Sequence, residues 1–502
     1  MAEMVASFDL WTVLPTLVPA LYGLLLLLFV PMLRHDHRWL WGSALGGMLV
    51  TTLVPATMLM RIADYGNVRE TAGVPGLAMV RTDPLALWLD LIFGIAGLLA
   101  LLVTPGYLER ARGQRAEVYP LMFLALAGMT IMVGTDNLVM IFLGLEVLSI
   151  SLYVMCGLTR EQGTALEAAL KYFLLGAFSS GFLVYGIALI LGATGKLDLP
   201  RIAAAAAAVD TLDPYGGLML FAGLALVIVA FAFKVAAVPF HFWAPDVYTG
   251  APTPVTAFMA AGTKAAAFGV LLRVLHTGFD GSPEFVARWG AVIAVLAAAT
   301  MIIGNVLALV QTRVKRLLAY SSISHAGYLL LALLAPLPIG AANLVFYLLA
   351  YTFMTVGAFA VVALFQDEGE DADQIANFAG LWQRRPYVAV AMGVFLLSLT
   401  GIPPTGGFTG KYVIFMAAIQ SGHPVLAAVM GVAAVIGAAY YLRVIVAMFL
   451  EDPAGQLSAG LRVPAASGVA LGIAVLGTVV LGVYPSLVLE PLARIADGFG
   501  LP

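Results

Sequence analysis

The 502-residue sequence contains little charge and almost no cysteine. Only 11% of its residues are charged, whereas 62% are hydrophobic, and the mean hydropathy is +0.99. Average soluble domains are about a quarter charged, so the chain has little room for a soluble domain. The single cysteine, Cys156, excludes an intramolecular disulfide and argues against a thiolate-held iron–sulfur cluster or zinc site. The formal net charge of −3 argues against nucleic-acid binding, which requires a basic surface.

Signatures of ATP, dinucleotide and zinc binding are also missing. The stretch GATGKLD at 192–198 lacks the spacing of a G-x-x-x-x-G-K-[ST] phosphate loop. No G-x-G-x-x-G motif follows a predicted strand, and no H-E-x-x-H motif occurs. If the chain moves protons, the energy must therefore come from an ion gradient or from partner subunits.

Long apolar runs fill most of the sequence and predict an all-α polytopic membrane protein. A membrane-spanning helix needs about 20 mainly apolar residues. About fourteen such helices are predicted, at 12–33, 40–60, 84–105, 118–134, 137–157, 166–191, 217–240, 252–277, 286–310, 317–336, 339–365, 387–421, 424–449 and 462–484. One set of alternate loops, which includes Lys315, Arg384 and Arg385, is richer in Lys and Arg and is expected to face the cytoplasm. Both termini are then expected on the opposite side.

Two of these segments contain helix-breaking residues with a lysine close by. They read FKVAAVPFHFWAPDVYTGAPTP and LTGIPPTGGFTGKYVIF, and the predicted break residues are Pro239, Pro245, Pro403 and Pro404. Broken helices at matching places in two halves are typical of transporters built from repeats, with the ion path at the breaks. The spacing suggests a repeat that pairs spans four to eight with spans nine to thirteen.

Titratable residues within or beside the spans are candidates for a proton relay, because ionisable groups at bilayer depth are costly and usually functional. A buried lysine can change its protonation state, whereas arginine keeps its proton. Glu146 beside a lysine would form a pair that titrates as a unit. The candidate relay residues are Glu146, Lys171, Lys234, His241, Lys264, His325 and Lys411.

Three of these candidates have a structural alternative. Lys171 lies near the start of its span and could instead extend its ammonium to the membrane interface. His241 could cap backbone carbonyls at the break. His325 could be a hydrogen-bonded structural histidine.

Five stretches resemble subunit N of bacterial respiratory complex I, the NADH–quinone oxidoreductase. They are FLGLEVLSISLYV, EAALKYFLLGAFSSGFLVYGIALI, FKVAAVPFHFWAPDVYTGAPTPVTAF, VKRLLAYSSISHAGYLLL and LSLTGIPPTGGFTGKYVIF. The resemblance implies an antiporter-like fold with two inverted five-helix repeats, each containing a broken helix. It implies helices 1–3 at 1–117, the first repeat at 118–277, the second at 286–449, and helix 14 with a tail at 450–502.

The resemblance also implies roles for the candidates and for partners. Glu146 and Lys234 would form the input-side pair, Lys264 and His325 the central relay, and Lys411 the output site, with Lys171 as an additional lysine. The chain would carry no cofactor, since FMN, Fe–S clusters and quinone belong to partner subunits. Its partners would be other membrane-arm subunits, including sister antiporter-like subunits, and membrane lipids. It would lie in the bacterial inner membrane with both termini periplasmic.

Two other functions remain open from the residues alone. A subunit of an Mrp-type cation/proton antiporter would exchange ions without redox chemistry. A solute permease would use the lysines to bind an anionic substrate, although no solute-specific feature is visible.

Overall fold

The computed structural model describes residues 10–33, 37–61, 69–70, 79–110, 115–159, 163–208, 214–365, 373–453 and 462–496. Within them, the first half contains α1 (Leu10–Phe29), α2 (His37–Met60), α3 (Pro84–Arg110), α4 (Val118–Val133), α5 (Leu138–Cys156), α6 (Gly163–Thr194), α7 (Leu199–Ala207), α8 (Pro214–Lys234), α9 (Trp243–Gly250), α10 (Thr253–Phe258) and α11 (Lys264–Arg273). The second half contains α12 (Pro283–Leu309), α13 (Val314–Ala332), α14 (Leu337–Leu364), α15 (Leu381–Arg384), α16 (Pro386–Thr400), α17 (Gly406–Gln420), α18 (Pro424–Leu450), α19 (Ala465–Val483) and α20 (Ser486–Ala496). Two short strands, β1 (Arg69–Glu70) and β2 (Arg81–Thr82), pair antiparallel.

The helices confirm the predicted class of all-α, multi-pass membrane protein. In the described part of the chain, eleven helical segments are long and apolar enough to cross a membrane, and α4 and α16 are shorter apolar helices. The more polar α13 is not among the eleven. The total of fourteen spans therefore stays a prediction.

Predicted and observed helix ends agree mostly within four residues, except where helices break. The predicted span 217–240 ends early, because α8 stops at Lys234. The predicted span 387–421 divides into α16 and α17. A third span is continuous but irregular, since π-helical turns at Met259–Thr263 and Val274–Gly278 follow α10 and α11.

The segment from α10 through the second π turn, together with α14, forms the centre of the bundle. Every residue of Thr253–Gly278 is buried, and so is nearly all of Leu337–Leu364. The short helix α9 packs against α6 and α13, and α17 packs against α14 and α19. Polar side chains of α11, α13, α14, α17 and α18 therefore meet inside protein rather than in lipid, which is where membrane proteins tolerate them.

Candidate functional site

Three of the four predicted break residues lie between helices. Pro239 lies in the segment 235–242 that separates α8 from α9, and Pro403 and Pro404 lie in the segment 401–405 between α16 and α17. Pro245, in contrast, lies in the first turn of α9. A helix has no intrahelical acceptor for the N–H groups of its first turn, so proline fits there without breaking the helix.

Lys234 is the last residue of α8 and points into the protein. Its ammonium donates to Ser149 Oγ at 2.7 Å and lies 3.4 Å from Tyr172 Oη. The Tyr172 ring stacks on Trp243 of α9, with centroids 4.7 Å apart. The end of α8 therefore places the buried Lys234 ammonium against polar groups of α5 and α6.

Glu146 lies one helical turn from Ser149 on α5 and is half-buried. Its carboxylate accepts a hydrogen bond from Ser180 Oγ at 2.5 Å. Among the described residues no N···O contact within 4.0 Å joins Glu146 to Lys234, and each instead has a hydrogen bond to a different serine. The two predicted partners are thus near neighbours with separate hydrogen bonds.

Lys171 belongs to a different group of charges. Its ammonium pairs with Glu167 at 2.6 Å and Asp246 at 2.8 Å, and Asp246 also accepts from Arg316 at 2.8 Å. The Lys171 side chain is 41% exposed. The exposure of this side chain is in keeping with the alternative of an ammonium at the membrane interface, and its ion pair with Asp246 also joins α6 to α9.

His241 lies in the first break and is buried. Its ring packs against Phe242, and its Nδ1 has no hydrogen-bond partner among the described atoms. Among the described residues, no hydrogen bond, ion pair or cation–π contact joins His241 to a candidate lysine, so these interactions do not connect it to the other candidates.

Lys264 begins α11 directly after a π-helical turn and is fully enclosed. Its ammonium donates to the carbonyl oxygen of Ser322 and lies 5.7 Å from the centre of the Tyr351 ring. A π turn shifts the helical register by one residue. This shift in register helps to orient the Lys264 side chain towards α13.

His325 lies on α13 between two tyrosine hydroxyl groups. Its Nδ1 is 2.6 Å from Tyr347 Oη, and its Nε2 is 3.2 Å from Tyr441 Oη. The Tyr328 and Tyr351 rings lie 5.4 Å and 5.3 Å from the His325 ring, and each also faces the ammonium of a lysine. His325 therefore occupies the middle of a buried titratable series.

Lys411 lies on α17 just beyond the second break and caps the helix that precedes the break. Its ammonium donates to the carbonyl oxygens of Leu399 at 2.7 Å and Thr400 at 2.9 Å. These are two of the last carbonyls of α16, which have no intrahelical donor. Gly401 ends α16 with a φ of 92°, a left-handed conformation that favours glycine. The break thus creates the acceptors that hold the lysine.

Tyrosine rings connect the second half of the candidate set. The Lys411 ammonium lies 4.9 Å from the centre of the Tyr328 ring, which is 5.4 Å from the His325 ring. The His325 ring is also 5.3 Å from the Tyr351 ring that faces Lys264. The structure therefore brings Lys264, His325 and Lys411 together, whereas Lys171 and His241 lie outside this series.

Lys315 is a buried lysine, although the sequence predicts a loop at this position. It lies in the first turn of α13, and its ammonium donates to the carbonyl oxygen of Ala251, the C-cap of α9, at 2.6 Å. The neighbouring residues Arg313 and Arg316 made this stretch resemble a cytoplasmic loop. No pattern in the sequence distinguishes the buried lysine from its half-buried neighbours.

A buried ionic cluster at the β2 end of the bundle was also missed. Arg273 of α11 is 2% exposed and pairs with Asp83 at 2.6 Å and Asp136 at 3.4 Å. Arg81 pairs with the same two carboxylates. Nearby Asp90 is buried in α3, with no hydrogen-bond partner on Oδ1 among the described atoms. Asp90 carries the same sequence signal as Glu146, because it is a carboxylate in a long apolar run.

Comparisons with known proteins agree on one family. The family model described as "NADH:quinone oxidoreductase/Mrp antiporter, TM" matches residues 135–437. A Chloroflexus aggregans protein named NADH-quinone oxidoreductase subunit N is 42% identical over 496 residues, which cover 97% of both chains. A chain of respiratory complex I from Thermus thermophilus is 34% identical with a TM-score of 0.78, over 95% of this chain and 99% of that one.

A similar fold also occurs in a protein of lower sequence identity. A chain of the Mrp complex from Dietzia sp. superposes with a TM-score of 0.86 over 97% of both chains, at 23% identity. The predicted antiporter-like fold is thereby confirmed. The buried lysine series, the broken helices and the near full-length similarity together show that this chain belongs to the family of NADH-quinone oxidoreductase subunit N.

Proposed function

We propose that this chain is a proton-translocating membrane-arm subunit of NADH-quinone oxidoreductase, and that partner subunits transfer the electrons from NADH to quinone. The observation that carries the proposal is the buried series Lys264, His325 and Lys411, which tyrosine rings and hydroxyl groups connect. Titratable groups at this depth in a membrane bundle usually mark a proton path. Relatives of nearly equal length carry the name of this subunit, which supports the same function.

In this proposal, Lys264 and Lys411 alternate between ammonium and amine, and His325 passes protons between them. Each imidazole nitrogen of His325 has its own hydroxyl partner, Tyr347 on one side and Tyr441 on the other. An imidazole can accept a proton at one nitrogen and release one from the other. A hydroxyl both donates and accepts, so it can extend the path without a net change of charge.

Coupling to the partner subunits would begin at Glu146. Ser149, which accepts from Lys234, follows Glu146 by three residues on α5, so both side chains lie on one face of that helix. A change at the half-buried Glu146 could therefore draw the Lys234 ammonium from the hydroxyl to the carboxylate. The resulting shift in charge would alter proton affinity along the series, because unscreened charges interact strongly in a low-dielectric interior.

The proposal also covers the cofactors, the partner contacts, the membrane orientation and the repeats of the chain. The chain carries no cofactor of its own, and FMN, Fe–S clusters and quinone lie in partner subunits. The face of α6 with Phe173, Leu174 and Phe178 exposes large apolar side chains, which suits contact with a sister antiporter-like subunit or lipid. The distribution of Lys and Arg supports periplasmic termini in a bacterial inner membrane. The two breaks support repeats at 118–277 and 286–449.

Lys264→Ala in the assembled complex tests this function. We expect proton uptake by inverted membrane vesicles and NADH-driven quinone reduction to fall together, while electron transfer from NADH to a water-soluble acceptor stays unchanged. Lys234→Ala should behave in the same way. Lys196→Ala is the matched control, since Lys196 is an exposed loop lysine. Full coupled turnover in the Lys264→Ala variant would overturn the assignment.

The Mrp-type antiporter is the second candidate, because the matching family model also covers such proteins. Purification of the tagged chain distinguishes the two functions. Flavin and Fe–S subunits in the purified assembly support the complex I function. An assembly of antiporter subunits without redox centres would replace it with the Mrp function.

A further inference from the structure

A buried asparagine on α12 contacts the tyrosine cluster beside His325. Asn305 is 1% exposed and is not one of the titratable candidates. We propose that Asn305 is a positioning residue of the proton path, because its amide holds the Tyr328 ring between His325 and Lys411. This inference rests on the proposed function and adds to it a residue that acts without gaining or losing a proton.

The orientation of the Asn305 amide follows from its partners. Its Nδ2 lies 2.7 Å from the carbonyl oxygen of Met301, which can only accept a hydrogen bond. The nitrogen must therefore face Met301, and its other hydrogen serves Tyr328 Oη at 3.4 Å, a long hydrogen bond. The amide oxygen accepts from Tyr440 Oη at 3.0 Å. Both hydrogens and the oxygen of the amide are thus engaged, which fixes one orientation of the side chain.

The Tyr328 hydroxyl depends on this amide. Tyr328 is 1% exposed, and among the described residues Asn305 is the one hydrogen-bond partner of its hydroxyl. A buried hydroxyl without a partner is costly, so such groups are normally hydrogen-bonded. An apolar residue in place of Asn305 would remove the partner and favour a displacement of the ring.

The position of the Tyr328 ring matters because it contacts two members of the series. The ring centre lies 4.9 Å from the Lys411 ammonium, and the ring meets that of His325 at 80° with centroids 5.4 Å apart. Cation–π attraction requires the cation to lie over the ring face, and edge-to-face packing requires a defined angle. A displaced ring would therefore disturb both contacts together.

Glycines allow a short side chain to reach its partners on two other helices. A Cβ added at Gly304 of α12 would lie 2.8 Å from the backbone nitrogen of Ser324 on α13. One added at Gly437 of α18 would lie 3.2 Å from Asn305 Oδ1. Small residues let membrane helices approach closely. The amide therefore fits a space that the backbones of α12, α13 and α18 enclose.

An amide suits a positioning role at this place. It donates and accepts hydrogen bonds but has no titratable proton, so it can orient hydroxyl groups without becoming a step of the path. Its neighbours on α12, Ile302 and Val306, are 44% and 47% exposed apolar residues. Asn305 thus ends the polar cluster on the side of the bundle where α12 turns outward.

Asn305→Leu in the assembled complex tests the inference. We expect proton uptake by inverted vesicles, per assembled complex, to fall by about tenfold, because a displacement of about 1 Å can cost up to about 100-fold in rate. Proton transfer is slower in heavy water, so the ratio of uptake rates in ordinary and heavy water should rise as this step becomes rate-limiting. A purely structural role would lower the amount of complex but leave uptake per complex and this ratio unchanged.

Two further variants separate positioning from stability. Tyr440→Phe removes one hydrogen bond of the same amide but leaves the bond to Tyr328, so uptake per complex should stay near normal. Tyr328→Phe removes the hydroxyl that Asn305 holds but keeps the ring, so it should assemble and lower uptake. The double variant Asn305→Leu, Tyr328→Phe should be no slower than the slower single variant, because residues that act through one another are not additive.

Lys411→Arg in the same vesicles keeps this inference distinct from the proposed function. Normal uptake by Asn305→Leu or Tyr328→Phe, with none by Lys411→Arg, would overturn the role of Asn305 alone. Equal losses in Asn305→Leu and Tyr440→Phe, or additive losses in the double variant, would show that Asn305 only stabilises the bundle. Normal uptake by Lys411→Arg would instead overturn the proposed function.

Discussion

Replacing Lys411 with arginine separates two tasks that this side chain combines. Lys411 holds the end of α16 through hydrogen bonds to Leu399 and Thr400, and in the proposed function it also releases a proton. Arginine has five N–H donors and can occupy the same carbonyls, but it does not lose its proton in a protein. We therefore expect Lys411→Arg to assemble and to fail in proton transfer.

The contacts of Lys411 allow an estimate of the stability that is lost in Lys411→Ala. Truncation leaves two buried carbonyl groups without donors, at about 1–3 kcal/mol each. It also removes the cation–π contact with Tyr328 at 4.9 Å, worth about 0.5–2 kcal/mol. Lys411→Ala should therefore destabilise the break by about 2.5–8 kcal/mol in total, whereas Lys411→Arg retains most of these contacts.

Two measurements on the assembled complex check the reasoning. Thermal unfolding should show a large loss of stability in Lys411→Ala and a small one in Lys411→Arg, while vesicle proton uptake should fall to background in both. Lys315→Arg is the matched control, because Lys315 also donates to a helix-terminal carbonyl but lies outside the proposed path. Normal proton uptake by Lys411→Arg would refute the claim that this residue must release a proton.

Three further predictions follow from the contacts of the bundle. Tyr441→Phe should slow proton uptake more than it lowers thermal stability, because it removes one hydroxyl partner of His325; equal effects on both would indicate a packing role. Lys315→Ala should lower the unfolding temperature of the complex, since it leaves the buried Ala251 carbonyl unpaired at a cost of about 1–3 kcal/mol, and unchanged melting would contradict this. Arg273→Met should reduce the yield of assembled complex, because removal of one partner of a buried ion pair costs about 3–5 kcal/mol; normal yield would show that Arg81 alone neutralises the carboxylates.

The sequence predicted those features that depend on neighbours along the chain. Apolar runs gave the helices, and the combination of prolines, glycines and a nearby lysine located both interruptions. The prediction of a break at Pro245 is wrong, because proline in the first turn of a helix and proline between helices have the same local sequence signal. The helix α8 ends at Lys234, five residues before Pro239. No comparable local signal in the sequence indicates this early end.

Features that depend on contacts between distant helices could not be predicted in the same way. Tyr347 and Tyr441 reach His325 from α14 and α18, across 22 and 116 residues of sequence. The pairing of Arg273 with Asp83 spans 190 residues. Lys315 resembled a loop residue because the count of positive charges does not reveal which side chain turns inward.

The capping of α16 by Lys411 requires a fixed number of N–H donors in both protonation states of the side chain. The two carbonyl groups at the break need two N–H donors, and an ammonium has three. When the ammonium loses its third hydrogen it becomes an amine, which still has two N–H groups for the same carbonyls. The joint between α16 and α17 can therefore keep one geometry in both charge states, so that release and uptake of the proton need little rearrangement of the backbone.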